Sequence, residues 1–129
     1  MTFPFKREPE SGLLIINIEI DGKYELKMVL DTGATNTTID SNALYLLGYD
    51  LKDNIGTVEI ETANGIIETE VFEVGSFASL GQTKENFQIQ VYDFLAHVVF
   101  SDYNGLLGLD FLEGTKFCID TKKNTITLT

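Results

Sequence analysis

The sequence predicts a single domain with an all-β fold and one or two short helices, and three observations lead to this prediction. Apolar and polar residues alternate with a period of two along several segments. Asp-Gly and Asn-Gly pairs, which favour tight hairpin turns, separate some of these segments. The length of 129 residues is enough for the core of one domain and too short for two. We expect residues 1–12, which are polar and hold both prolines, to form an N-terminal arm, and residues 13–129 to form the domain.

The first element of the domain is a predicted hairpin. Apolar side chains alternate along residues 14–20 and again along residues 24–30, and Asp21-Gly22 between them favours a tight turn. The second strand of this hairpin runs directly into Asp31-Thr32-Gly33-Ala34. We therefore expect Asp31 at the end of a strand that is buried on one face.

A capped helix and a second hairpin are predicted next. Asp40-Ser41-Asn42 precedes an apolar stretch that ends at Gly48, which is typical of a helix of about two turns. Segments 57–62 and 66–71 then flank Ala63-Asn64-Gly65, and Asn64-Gly65 suits the positive φ values of a type I′ turn. Four glutamates in this hairpin predict that it is largely exposed to solvent.

The last part of the chain continues the β pattern. Apolar residues alternate from Phe87 to Val91, whereas periodicity cannot separate strand from helix in the apolar segment 94–100. The remaining predictions, in chain order, are a short strand over 105–108, a helical turn over 109–112, and a hairpin formed by 116–120 and 125–128 with a turn at 122–124.

Composition excludes several classes of function. Twenty acidic and nine basic residues give a net charge of −11, which repels phosphate backbones and argues against a nucleic-acid partner. We find no phosphate-binding loop, no nucleophile-elbow motif and no histidine pair of the zinc-protease type. No apolar run is long enough to cross a membrane, and the N-terminus lacks the pattern of a secretory signal. We therefore expect a cytoplasmic protein that uses carboxylate chemistry, with no metal and no cofactor.

The single histidine and the single cysteine have ordinary structural interpretations. His97 lies in an apolar segment and is best interpreted as a packed or partly exposed side chain. Cys118 alternates with Phe117 and Ile119, which favours a small core or interface residue. A Cys–His hydrolase would need these two side chains in contact and would leave Asp31-Thr32-Gly33 without a purpose.

The tripeptide Asp31-Thr32-Gly33 is the candidate for catalysis. A strand end holds the aspartate rigidly, and glycine lets the backbone approach and turn, so the Gly33 N–H and the Thr32 hydroxyl are able to donate hydrogen bonds around the carboxylate. Two such carboxylates about 3 Å apart share one proton, so one activates water while the other hydrogen-bonds a substrate carbonyl. The same tripeptide also occurs as an ordinary turn.

Several motifs in order resemble those of a known family. The segments 29–35, 63–65 and 106–112, with sequences VLDTGAT, ANG and LLGLDFL, are similar to those of retropepsin-like aspartic proteases. The resemblance is greatest to the retroviral-protease-like domains of bacteria and of some cellular proteins, and it extends over residues 13–128, nearly the whole chain. It implies a closed, barrel-like lobe with a flap hairpin, and an activity without a cofactor.

The resemblance also implies roles for individual residues. Asp31 is the expected catalytic aspartate, Thr32 is expected to interlock with its counterpart in a second subunit, and Gly33 is expected to hydrogen-bond the substrate and the carboxylate. Ala34 would hold the tight turn, and Asp110 would begin the short helix. The residues expected to contact substrate are Ala34, the flap-tip residues Asn64, Gly65 and Ile66, and the strand residues Leu106 and Leu107.

Two features depart from the viral members of that family. The flap lies farther from Asp31 along the chain than in the compact viral enzymes, so the flap or its base carries an insertion. Its tip lacks a glycine-rich run. The N-terminal arm and the C-terminal hairpin also depart from the family's pattern.

Chemistry predicts a homodimer, because the mechanism needs two aspartates and the chain holds only one Asp-[Ser/Thr]-Gly motif. Two functions from different classes follow. The first is an aspartic endopeptidase that hydrolyses polypeptides at a dyad of two Asp31 carboxylates. The alternative is a catalytically silent module of the same fold, used for dimerisation or peptide binding. The intact motif favours the first.

Overall fold

A computed structural model describes residues 1–62, 65–93 and 103–129 of the chain. Within these residues most of the backbone is in strands. The strands are β1 Thr2–Pro4, β2 Lys6–Arg7, β3 Leu14–Ile20, β4 Tyr24–Leu30, β5 Thr38–Asp40, β6 Gly56–Thr62, β7 Gly65–Ser79, β8 Gln82–Tyr92, β9 Gly105–Leu107, β10 Phe117–Asp120 and β11 Thr125–Leu128. The helices are α1 Ser41–Leu46 and α2 Leu109–Leu112, with a single 3-10 turn at Leu51–Asp53. The all-β prediction is confirmed.

Eight of the strands in the described residues form one sheet that closes on itself. Their order is β2-β3-β4-β9-β5-β8-β7-β6, and β3 also pairs with β7. The closing pairs are Glu19 with Ala78 and Ile20 with Phe77. Six of the strands therefore make a closed ring, as expected of a barrel-like lobe, and β6 extends β7 outward as a two-stranded ribbon.

The core fills the interior of this ring because each strand turns its apolar face inward. In the predicted hairpin of β3 and β4, Ile16, Ile18 and Ile20 are buried while Asn17 and Glu19 between them are exposed. The predicted turn is also present, since Asp21 and Gly22 both have positive φ, of 54° and 65°. The hairpin prediction is confirmed.

The longest hairpin is formed by β7 and β8, and it extends well beyond the segments that alternation identifies. Its two-residue turn is Leu80-Gly81, in which φ is 50° and 71°. Leucine at positive φ is unusual, but Leu80 is only 8% exposed and belongs to the core. Burial of the side chain offsets the backbone cost of this turn.

Gly65 does not occupy the turn position predicted for it in the second hairpin. Strands β6 and β7 do pair, as expected, but the register puts Thr62 opposite Gly65. Gly65, with φ of 116°, is thus the first residue of β7 and does not occupy a central turn position. Asn64 lies outside the described residues, as do His97 and the segment 94–100.

The remaining sheet has the order β1-β11-β10. Strands β10 and β11 are the predicted C-terminal hairpin. Residues 1–12, expected to form an arm, contain β1 and β2, which pair with β11 and β3 of the same chain. Phe5 between them is buried in the core.

Cys118, on β10, is exposed, so its predicted place in the core is wrong. The neighbours of Cys118, Phe117 and Ile119, are partly buried and pack against the core. The interface interpretation of Cys118 stays a prediction.

The two helices are short, and their predicted positions are confirmed. Helix α1 begins after Asp40, whose carboxylate accepts a hydrogen bond from the Asn42 N–H at 3.2 Å. Gly48 follows the helix with φ of 94°. Over the described residues, no helix is long and apolar enough to cross a membrane.

Candidate active site

Asp31 lies where β4 leaves the core. Its N–H donates a hydrogen bond to the Leu107 carbonyl at 3.0 Å, which continues the parallel pairing of β4 with β9. Leu30 and Leu107 on either side of this junction are buried. The buried pair of strands β4 and β9 therefore positions the aspartate at its end, as the sequence predicts.

The loop after Asp31 folds back on the carboxylate. The Gly33 N–H donates to Asp31 Oδ1 at 2.9 Å, and the Ala34 N–H donates to the Asp31 carbonyl at 3.1 Å. A Cβ on Gly33 would lie 3.2 Å from Asp31 Oδ1, which is closer than most Cβ atoms in proteins approach another heavy atom. Glycine at this position therefore leaves the carboxylate room to accept the hydrogen bond.

The start of α2 holds the same loop through backbone hydrogen bonds. The Leu109 N–H donates to the Ala34 carbonyl at 2.8 Å, and the Asp110 N–H donates to the Thr35 carbonyl at 3.2 Å. Gly108 permits this approach, because a Cβ there would lie 2.6 Å from the Asn36 carbonyl carbon. The loop geometry thus depends on a segment far away in sequence.

A hydrogen-bond network links α2 to the end of the loop. Both Asp110 carboxylate oxygens accept from the Thr37 N–H, at 3.0 and 2.9 Å, and Asp110 Oδ1 also accepts from the Thr37 hydroxyl at 2.7 Å. The Thr37 hydroxyl in turn accepts from the Gly108 N–H at 3.1 Å. Thr37 is fully buried. This network holds the loop at both ends.

Sequence reasoning missed Thr37, although it placed Asp110 at the short helix. Thr37 was part of a hydroxyl-rich stretch that follows the motif, and four neighbouring polar residues gave no reason to prefer one of them. The signal that distinguishes it is tertiary: Thr37 has no exposed surface, whereas Thr35 and Asn36 are exposed.

The predicted site residues differ in their access to solvent. Asp31 and Ala34 are half-buried, and Thr32 and Gly33 are exposed at the tip of the loop. Leu106 is partly exposed, whereas Leu107 is fully buried in the core. Within a single chain Leu107 therefore offers no surface to a substrate, and its side chain packs beneath the loop.

The ribbon of β6 and β7 has two different faces. Cross-strand pairing puts four exposed glutamates on one face. The opposite face carries the pair Ile60 and Ile67 together with Val58 and the buried Thr69. Ile66, opposite Glu61 at the outer end of the acidic face, is 69% exposed, and Gly65 beside it is also exposed. One face of this ribbon is thus able to contact an apolar ligand.

In the part of the chain that the structure describes, the Asp31 carboxylate has no second carboxylate as a hydrogen-bond partner. The Asp110 carboxylate is instead occupied by Thr37 and by the Phe111 N–H at 2.9 Å. Those same residues contain no group of three or more histidine, cysteine and acidic side chains suited to a metal ion.

Comparisons with known proteins identify the family and the fold. A family model described as "Aspartyl protease" matches residues 16–111. The solved structure of a retropepsin-like aspartic protease from Rickettsia conorii matches with a TM-score of 0.72 and 26% sequence identity, over 99% of this chain and 89% of that chain. No curated protein matches. The fold is retropepsin-like.

Proposed function

The chain belongs to the aspartyl protease family, and from that premise we propose that it is an aspartic endopeptidase whose active site forms between two copies. The observation that carries the proposal is the setting of Asp31. Its carboxylate is half-exposed at the end of an anchored strand and is oriented by the Gly33 N–H at 2.9 Å. A carboxylate held in this way at the surface is suited to meeting its own symmetry mate.

In the proposed mechanism the two Asp31 carboxylates share one proton, because two like charges about 3 Å apart do not both ionise. The charged carboxylate takes a proton from a water molecule, whose oxygen attacks the peptide carbonyl carbon. The protonated carboxyl donates a hydrogen bond to the carbonyl oxygen. A proton then passes to the leaving nitrogen as the C–N bond breaks, so neither a metal nor a cofactor is needed.

The residues around Asp31 have proposed roles in this mechanism. Thr32, exposed at the loop tip, would interlock with its counterpart and fix the two loops. Gly33 and Ala34 would contact the substrate backbone. The ribbon of β6 and β7 would close over an extended peptide, with Ile66 and the half-exposed Leu106 contacting apolar substrate side chains. A polypeptide substrate, a homodimer and a cytoplasmic location are parts of the same proposal.

The test is cleavage of a diverse peptide library by the wild type and by Asp31→Asn, between about pH 4 and about pH 7. We expect the variant to lose cleavage, because the amide neither accepts the proton from water nor shares one with its partner. Asp53→Asn is the matched control, since Asp53 is an exposed carboxylate on the 3-10 turn. It should cleave like the wild type.

Dilution tests the shared site. Specific activity should fall as the protein concentration falls below the dissociation constant of the dimer. Equal residual cleavage by the wild type and Asp31→Asn would indicate a contaminant. Absence of cleavage from a dimeric wild type would contradict the proposal and favour a catalytically silent dimerisation or peptide-binding module.

A further inference from the structure

A row of cross-strand neighbours runs from the strand that carries Asp31 to the ribbon of β6 and β7. Its members are each paired with the next across β4, β9, β5, β8 and β7: Val29, Leu106, Thr38, Gln90 and Val71. Directly paired residues project on the same face of a sheet. Side chains alternate along a strand, so Asp31, two residues after Val29, projects on this face as well.

The opposite face of the same strands is the core. The residues that follow or face the row on that side are all buried: Leu30, Leu107, Ile39, Val91 and Phe72. The row itself is half-buried except at Val29. It therefore lines the outer face of the closed sheet, between Asp31 and the ribbon. A peptide bound at Asp31 and covered by the ribbon would lie over this row.

Thr69 is the unusual residue at the ribbon end of this surface. It lies two residues from Val71 along β7 and opposite Val58 of β6, so it projects on the same face as the row. Thr69 is 4% exposed, yet its hydroxyl has no hydrogen-bond partner in the part of the chain that the structure describes. Buried polar side chains nearly always have a partner, and an unpaired one lowers stability. The hydroxyl is thus available to a group from outside the chain.

Two members of the row add polar groups next to Thr69. Thr38 and Gln90 pair with each other, and the side chain of neither forms a hydrogen bond with the described residues. Because Gln90 pairs with Val71, it is the diagonal neighbour of Thr69 on the adjacent strand. Such diagonal neighbours are about 7–8 Å apart, within reach of a long side chain. A polar group placed between Gln90 and Thr69 could therefore hydrogen-bond both.

We propose that Thr69 determines substrate specificity by hydrogen-bonding a neutral polar side chain of the peptide, a hydroxyl or a carboxamide, next to Gln90. This inference rests on the proposed function, since it names the substrate class of that site. A hydroxyl both donates and accepts, and so does a carboxamide, so either satisfies Thr69. An apolar side chain would leave the Thr69 hydroxyl unpaired. A charged one would lose its hydration without an opposite charge on Thr38, Gln90 or Thr69.

The apolar neighbours of Thr69 make one hydroxyl important. Val58 and Val71 lie on the same face, across from Thr69 and beside it along the strand. Where water is excluded, a site that hydrogen-bonds its ligand rejects an analogue of the same shape that lacks the polar group, because the buried partner is left unpaired. An all-apolar pocket discriminates more weakly. Threonine and valine in the substrate have nearly the same shape and therefore give the sharpest comparison.

Matched peptides test the proposal. In peptides that the wild type cleaves, threonine or valine is placed in turn at each position near the scissile bond. At one position the wild type should cleave the threonine peptide with about tenfold higher kcat/KM, the effect expected of one neutral hydrogen bond. Thr69→Val should cleave the two peptides equally, whereas Thr69→Ser, which keeps the hydroxyl, should retain the preference. Equal cleavage of both peptides by the wild type at every position would overturn the proposal, as would an unchanged preference in Thr69→Val.

Thr57→Val is the matched control. Thr57 is exposed on the acidic face of the same ribbon, where it pairs with Glu70. The same exchange there should leave the preference for threonine intact. Urea unfolding separates specificity from folding, since Thr69→Val removes an unpaired buried hydroxyl and should be at least as stable as the wild type. Loss of the preference in Thr57→Val as well would mean that it does not arise at Thr69.

Binding separates this inference from catalysis. The same peptides are titrated calorimetrically into Asp31→Asn, with and without Thr69→Val. Tighter binding of the threonine peptide that depends on Thr69, in a protein whose wild type cleaves nothing, would support this inference and contradict the proposed endopeptidase. Cleavage with no preference that depends on Thr69 would overturn this inference and leave the endopeptidase intact. Absence of both binding and cleavage would overturn the two together.

Discussion

The Asp31 carboxylate is oriented within one chain, before any partner is added. Its own loop supplies a hydrogen bond from the Gly33 N–H, and α2 supports the loop through the Ala34 and Thr35 carbonyls. Asp110 then ties the far end of the loop to α2 through Thr37. At the residue scale, the stability of the loop depends on Asp110, which acts through Thr37.

Substitution of Asp110 should therefore lower stability and activity together. Asp110→Ala leaves the Thr37 N–H and hydroxyl without their acceptor, and buried donors without acceptors cost about 1–3 kcal/mol. We expect the free energy of unfolding in urea to fall by about 2–3 kcal/mol for Asp110→Ala. It should fall by about 1 kcal/mol for Asp110→Asn, which retains one acceptor oxygen.

Glu85→Gln provides the matched control for Asp110→Asn. Glu85 is an exposed carboxylate on β8, and surface substitutions usually change the free energy of unfolding by less than about 0.5 kcal/mol. If Asp110→Ala proved as stable as this control, the network would not hold the loop as described.

At the scale of elements, the ribbon of β6 and β7 combines an acidic face with an apolar one. Period-two alternation identifies these strands from sequence, because one side chain in two points to each face. The register and the exact turn depend on pairing, which is why Gly65 was expected at the turn and lies in the strand instead. The register places Ile66 opposite Glu61, where it is 69% exposed, and half-buried Ile67 opposite Ile60 on the other face.

Ile66→Ser should raise KM for peptide substrates and leave folding unaffected. The side chain is 69% exposed, so its loss costs little stability, but a contact with substrate through the ribbon would be lost. Measured kcat should change less than KM if the contact is the same in the ground state and the transition state.

Ile55→Ser is the control for this change. Ile55 is also an exposed isoleucine, at 53%, and it precedes β6 at the opposite end of the ribbon from Ile66. Steady-state kinetics should show no increase in KM for Ile55→Ser. Equal increases for both variants would mean that Ile66 has no special role in substrate binding.

For the whole molecule, charge opposes the assembly that the proposed active site requires. Each chain carries a net charge of −11, so two copies repel one another at long range. Contacts between neighbouring charged side chains of the two copies act only at short range. The balance between the two effects depends on ionic strength, because salt screens separated charges more than neighbouring ones.

Dimerisation should accordingly strengthen as salt is added. Raising NaCl from about 10 mM to about 150 mM shortens the Debye length from about 30 Å to about 8 Å, which removes most of the repulsion between the chains. Sedimentation velocity should show a lower dissociation constant, and specific activity at fixed protein concentration should rise. KCl should act like NaCl, since the effect depends on ionic strength. Weaker dimerisation in salt would mean that interfacial ion pairs dominate the assembly.

The sequence by itself determined the class of fold, most elements and the identity of the candidate aspartate. Alternation, turn residues and the motif order are local properties, and they located the hairpin of β3 and β4, both helices and the C-terminal hairpin. Two features that local patterns do not predict depend on packing against the core. Leu80 adopts a positive φ because its side chain is buried, and Cys118 is exposed because Phe117 and Ile119 occupy the core side of β10.

Only the tertiary structure decided which residues support the aspartate. Thr37 and Asp110 are far apart in sequence, and their hydrogen bonds exist because the pairing of β4, β9 and β5 brings the loop onto the start of α2. Local sequence records which groups are able to donate and accept. The closed sheet determines which of them are buried together, and burial is what makes each hydrogen bond matter, since an unpaired polar group in the interior is costly.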